Sequence, residues 1–161
     1  MERTKKLVAY FSCGGVTARA AQKIADAAGA DLFEIAPAVR YTAADLDWTD
    51  KNSRSTKEMN DPDCRPQMAG RVENIGDYGV VFVGFPIWWY VAPRIVQTFL
   101  ESADFSGKTI VPFFTSGGSG EGRTAEILKK SAPDCAWKPC RRFTGGESAE
   151  DVRAWLSSLG L

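Results

Sequence analysis

Three stretches of the chain are continuously apolar or nearly so: Leu7–Phe11, Val80–Phe85 and Thr109–Thr115. Each is rich in β-branched and aromatic residues and ends at turn-forming residues. An unbroken apolar run, as opposed to an alternating one, is the pattern of a parallel strand covered on both faces. A fourth run, Asp31–Ala36, alternates and reads as an edge strand. A fifth, around Cys135–Phe143, is weak. Pro139 within it lacks the N–H that a ladder needs, so this run also belongs at an edge.

Helical periodicity fills the intervals. Ala21, Ile24, Ala25 and Ala28 fall at i, i+3, i+4, i+7, with Arg19, Gln22, Lys23 and Asp26 opposite and Gly29 as a stop. Pro93 sits where a first-turn proline belongs, ahead of Ile95, Val96, Phe99 and Leu100. Thr124, Ile127 and Leu128 mark a third helix that ends before Pro133. Ser148 and Asp151 have capping-box spacing before the stripe Val152, Trp155, Leu156 and Leu159. The order is β-α-β, a long segment, then β-α-β-α-β-α. This alternation predicts an α/β fold: a doubly wound, five-stranded parallel sheet in the order 2-1-3-4-5, with helices on both faces. Residues 37–78 carry few aliphatics and are expected to hold short helices and a surface loop.

Composition narrows the possibilities. A chain of 161 residues has the size of one domain, here residues 1–161. Twenty Lys and Arg balance twenty Asp and Glu, so the basic surplus of a nucleic-acid-binding protein is missing. No apolar run approaches the ~20 residues of a membrane helix, and the five-residue apolar run near the N-terminus is too short for the core of an export signal. There is no His, which removes Ser-His and Cys-His nucleophile pairs and His-ligated metals. Cys13, Cys64, Cys135 and Cys140 form no Cys-x-x-Cys pair, so no metal site is expected. They read as reduced thiols of a cytoplasmic protein.

Ligands of such sheets bind beyond the carboxyl ends of the strands. Three loops there carry candidate chemistry. Ser12-Cys13-Gly14-Gly15-Val16-Thr17 joins the first strand to the first helix. Its glycines, hydroxyls and helix N-terminus favour an anion, and with no Lys or Arg inside the loop the donors are neutral. The alternative is a glycine-rich turn without a ligand. The loop lacks the Gly-Lys-Ser/Thr of a Walker A motif. Pro86-Ile87-Trp88-Trp89-Tyr90 follows the third strand. Three consecutive aromatics cannot all face one core, so at least one is available to stack on a planar ligand. Thr115-Ser116-Gly117-Gly118-Ser119-Gly120-Glu121-Gly122 follows the fourth strand and permits close backbone approach. A phosphate cradle, an aromatic wall and a glycine-rich floor together describe a site for a phosphorylated aromatic cofactor.

These three loops, beginning at Tyr10, Phe85 and Thr115, resemble the FMN-binding loops of flavodoxins, and in particular a short branch with a Pro-Ile-Trp-Trp loop. The resemblance covers nearly the whole chain, including Leu100-Glu101-Ser102 and Phe105-Ser106-Gly107-Lys108. It implies a flavodoxin-like fold with FMN as cofactor. Ser12, Cys13, Gly14, Gly15, Val16, Thr17 and Ala18 would wrap the phosphate. Pro86, Ile87, Trp88 and Trp89 would border the isoalloxazine and ribityl chain. Thr115, Ser116, Gly117, Gly118 and Gly122 would flank the other edge of the ring. The family pattern usually has Ser or Thr at the position of Gly14 and Asn or Thr at that of Val16. Both side chains are lost here, so phosphate binding would rest on backbone N–H groups. Cys13 lies beside a helix N-terminus, where a thiol pKa can fall. Trp48, with Asp45–Asp50, is a candidate lid, the alternative being core packing of Trp48.

The resemblance implies electron exchange with redox partner proteins or small electron acceptors, as a monomer or homodimer and without a catalytic acid–base pair. An FMN-dependent NAD(P)H oxidoreductase acting on quinones or similar acceptors is the alternative, and a binding module that has lost its cofactor is a third. Carrier flavodoxins tend to be strongly acidic, and this chain is neutral.

Overall fold

A computed structural model describes residues 5–88, 91–116, 120 and 122–161. The elements run β1 (Lys5–Tyr10), α1 (Val16–Ala28), β2 (Asp31–Glu34), α2 (Arg54–Met59), a 3-10 turn (Ile75–Asp77), β3 (Tyr78–Pro86), α3 (Arg94–Glu101), β4 (Thr109–Thr115), α4 (Thr124–Ser131), β5 (Ala136–Trp137), β6 (Arg141–Phe143) and α5 (Ala149–Ser158). The pairings are parallel and the strand order is β2-β1-β3-β4-β5, with β6 also beside β4. This is the order expected from the alternation of runs.

Strand alternation divides the interior into two layers. Leu7, Ala9, Val81, Val83, Phe85, Ile110 and Phe114 pack with Ile95, Val96 and Phe99 of α3 and Leu128 of α4. Val8, Phe82, Val111 and Phe113 pack with Ala20, Ala21 and Ile24 of α1 and with Val152 and Leu156 of α5. Because side chains of the central strands are buried in both directions, their sequences read as unbroken apolar runs. Gly84 faces the second layer, where a Cβ would lie 2.1 Å from Phe113 Cζ. The phenyl ring occupies the space that any side chain at 84 would need.

The helix ends follow the sequence signals. Gly29 is left-handed (φ 65°) at the C-cap of α1. Ser148 accepts from the Asp151 N–H while the Asp151 carboxylate accepts from the Ser148 N–H, completing the capping box of α5. Pro93 stands at the N-cap of α3, one residue ahead of the first helical turn.

The weak fifth run is two short strands, not one. β5 pairs with Thr109 and Ile110, and β6 with Phe113, Phe114 and Thr115. Two prolines account for the break. Pro139 lies between the pieces, and Pro112 of β4 lies opposite the gap, and neither has an N–H to give to a ladder.

The 37–78 segment holds α2, the 3-10 turn and an antiparallel bridge between Pro37 and Met68. The Ala38 N–H donates to Gln67 O (2.8 Å) and the Ala69 N–H to Ala36 O (2.8 Å), so its two arms return side by side. Trp48 is 71% exposed, which overturns core packing for this residue. Among the described residues no helix is long and apolar enough to cross a membrane.

Candidate functional site

The loops leaving β1, β3 and β4 come together at one sheet edge because parallel strands deliver their carboxyl ends to the same side. They line a cleft of about 470 Å³ with Ser12, Cys13, Gly14, Val16, Thr17, Pro86, Ile87, Trp88, Thr115 and Ser116, joined by Leu46 and Thr144. None of these side chains carries a charge at neutral pH.

In the first loop, the Ser12 hydroxyl accepts the Gly15 N–H (3.1 Å). Gly15 adopts φ 88° as the N-cap of α1, a conformation that L side chains rarely take. No side chain caps this helix and no acidic residue lies in its first turn. Among the described residues no side chain caps the N–H groups of Val16, Thr17 and Ala18, so they and the positive end of the helix dipole face the cradle. A Cβ at Gly14 would meet nothing within 4 Å, so the cradle has open space at this position. Neutral donors around open space suit an anion.

Thr115 ties the loops together. Its hydroxyl and that of Thr17 lie 2.7 Å apart in the interior, and its carbonyl accepts the Ile87 N–H at 3.1 Å. The next residue, Ser116, is held from β6: Arg142 donates to the Ser116 hydroxyl (3.1 Å) and carbonyl (3.0 Å). Thr144, at the end of β6, brings a fourth strand end to the cleft. Glu147 accepts the Thr144 and Gly145 N–H groups and the Thr144 hydroxyl, and Lys23 of α1 donates to the Gly145 and Glu147 carbonyls (3.0 and 2.7 Å). These bonds hold the 144–147 turn against α1.

In the second loop, Trp88 and Val91 exchange backbone hydrogen bonds (2.8 and 3.1 Å). The half-buried Trp88 indole packs edge-to-face on Phe11 (5.7 Å) and Tyr41 (5.5 Å), and Phe11 packs edge-to-face on Tyr41 (5.7 Å). Trp89, Gly117 and Gly118 lie outside the described residues.

Two sequence expectations change. Loss of solvation pushes the Cys13 thiol up to about 11, more than the Arg54 guanidinium lowers it, and the Glu58 carboxylate adds to the rise. Although Cys13 is an exposed residue, the loss of solvation acting on its thiol outweighs the positive charge nearby, so the pKa moves up, not down as it can beside a helix N-terminus. Of the Asp45–Asp50 region, Leu46 reaches the cleft, whereas Trp48 stands in solvent. Gly15 and Ala18 shape the helix entry without lining the cleft, and the exposed Gly122 (φ 60°) lies away from the lining. Thr144 and Tyr41 were not among the sequence candidates, whereas Leu46 falls within the Asp45–Asp50 region that was. Thr144 had a signal, since Phe143-Thr144-Gly145-Gly146 is a strand end running into glycines like the third loop. Tyr41, among polar residues, had none. Among the described residues no three Cys, Asp or Glu side chains gather as a metal site.

Comparison with known proteins agrees with this geometry. A protein of Bacteroides eggerthii DSM 20697 classed as a flavoprotein has a solved structure 53% identical to this chain, with a TM-score of 0.93, over 99% of both chains. One from Bacteroides uniformis ATCC 8492, classed in the same way, is 47% identical, with a TM-score of 0.91, over 96% of this chain and 98% of that one. A flavoprotein of Lactobacillus acidophilus NCFM, solved in complex with FMN, shares the fold at 19% identity and a TM-score of 0.71, over 87% of this chain and 93% of that one. Comparison with curated proteins returns no match. The family model described as flavodoxin matches residues 5–159, and with strand order, loop placement and relatives in agreement, the chain belongs to the flavodoxin family.

Proposed function

We propose that this protein binds FMN in the cleft and carries electrons between redox partners. The observation that carries the reading is the convergence of three loops on one uncharged cleft, lined by an uncapped helix N-terminus and a tryptophan. The FMN complex of the Lactobacillus acidophilus flavoprotein supports the choice of cofactor. Ser12, Cys13, Gly14, Gly15, Val16, Thr17 and Ala18 hold the phosphate, mainly through backbone N–H groups. Pro86, Ile87, Trp88 and Trp89 border the ring and its ribityl chain. Thr115, Ser116, Gly117 and Gly118 form the opposite border. Bound FMN supplies electron transfer at its ring, and the protein supplies position and surroundings. The described walls of the cleft carry no charged side chain, so they offer no counter-charge to a gain of negative charge at the ring. The four cysteines form no disulfide, in keeping with a cytoplasmic protein.

Zero net charge favours a second reading, an NAD(P)H oxidoreductase that passes electrons to quinones or similar small acceptors, because a neutral surface does little to steer a charged protein partner. Purified protein reconstituted with FMN decides between the two. A carrier is expected to show flavin absorption bands, to accept electrons from dithionite or light, and to leave NAD(P)H unoxidised when a quinone is present. Steady NAD(P)H oxidation with quinone would establish the second reading. Failure to take up FMN at all would overturn both.

A further inference from the structure

Helix α2 braces the aromatic loop at both ends. At one end, Arg94, the first residue of α3, donates to the carbonyls of Met59 (2.8 Å) and Glu58 (3.4 Å) at the C-terminus of α2. At the other, Trp88 packs edge-to-face on Tyr41, whose hydroxyl donates to Glu58 Oε1. Glu58 is almost enclosed, its side chain 11% exposed, and its second oxygen accepts Arg54 Nε at 2.9 Å. The Arg54 guanidinium lies 3.8 Å from the centre of the Tyr41 ring and also donates to Val39 O at 2.7 Å. Tyr41 is thus fixed at its hydroxyl by a carboxylate, on its face by a cation, and at its edge by Phe11. Burial and the Glu58 carboxylate push the phenol far above its ordinary pKa, so it remains a donor throughout the stable pH range.

A loop tryptophan has rotamer freedom that ligand binding must freeze, and affinity rises when the unbound protein has already restricted it. We infer that Tyr41, locked by Glu58 and Arg54, is a positioning residue for the cofactor, holding the Trp88 indole in the orientation that receives the flavin ring. This rests on the FMN reading above. It gives the 37–78 segment a function beyond the contact of Leu46 with the cleft: the segment sets one wall of the site through Tyr41 acting on Trp88.

The test is a double-mutant cycle on the full chain, read as the FMN dissociation constant. Tyr41→Phe keeps the ring and removes only the bond to Glu58. It is expected to weaken FMN three- to tenfold, about the effect of one hydrogen bond. In a Trp88→Ala background the same substitution is expected to have no further effect, because the residue it acts through is gone. Glu58→Gln keeps an acceptor for the phenol and is expected to bind FMN more tightly than Glu58→Ala. The second readout is acrylamide quenching of Trp88 in FMN-free protein, taken as wild type minus Trp88→Phe, and it is expected to rise about twofold in Tyr41→Phe. Losses that multiply in the double variant, or unchanged affinity in Tyr41→Phe, would overturn the inference. If the wild type takes up no FMN, the cofactor reading falls, and the quenching of Trp88 alone decides whether Tyr41 holds it.

Discussion

Thr115 shows how much one residue can organise. Its hydroxyl meets Thr17 at the entry to α1 and its carbonyl accepts from Ile87, so a single strand end registers the other two loops. Thr17→Val keeps the shape and leaves the Thr115 hydroxyl without its buried partner. The expected cost is about 1–3 kcal/mol in denaturant unfolding, together with weaker FMN binding. An unchanged midpoint and affinity would mean that the hydroxyl pair is dispensable. Cys13 gives a second residue-scale prediction. With its thiol pushed up to about 11, Cys13 is mostly protonated at pH 8. Iodoacetamide is expected to label Cys13 more slowly than an ordinary free thiol at that pH. The rate should rise about tenfold per unit until the pH nears the thiol's own pKa. Rapid labelling at pH 7 would contradict the burial argument. The residue identities of the first loop could be read directly from the sequence. Its pKa could not, because the opposing groups, Arg54 and Glu58, stand more than forty positions away.

Elements were legible in proportion to their length and periodicity. β1, β3 and β4 are long apolar runs, and α1 and α5 carry both a stripe and an end signal, so sequence and structure agree closely there. β5 and β6 were harder to read because pairing, not propensity, forms them: each is a few residues long and borrows its order from β4. α2 has six residues, too few for a hydrophobic period to show. Close packing between strands adds constraints invisible in any pattern, and Gly84 is the sharpest case. Gly84→Ala would drive a methyl group into the Phe113 ring, and overpacking of this kind costs about 1–3 kcal/mol. The denaturation midpoint of the purified variant measures it; a variant as stable as wild type would show that Phe113 can move aside without penalty.

For the whole molecule, the parallel sheet collects strand ends that are far apart in sequence and makes one cleft of them. Three of the contributing loops were visible because glycines and aromatics follow apolar runs. Tyr41 and the α2 brace were not, because what places them is a tertiary path through Glu58, Arg54 and Arg94 that leaves no local signature. The central claim is that this edge binds FMN by its phosphate, at the uncapped start of α1. Parallel titrations of the apoprotein with FMN and with riboflavin, followed by tryptophan quenching, test it most directly. The two ligands share the ring and the ribityl chain and differ only in the phosphate. FMN is expected to bind at least tenfold more tightly, the least that one charge-assisted hydrogen bond of roughly 1.5–3 kcal/mol would give; equal affinities would contradict the account.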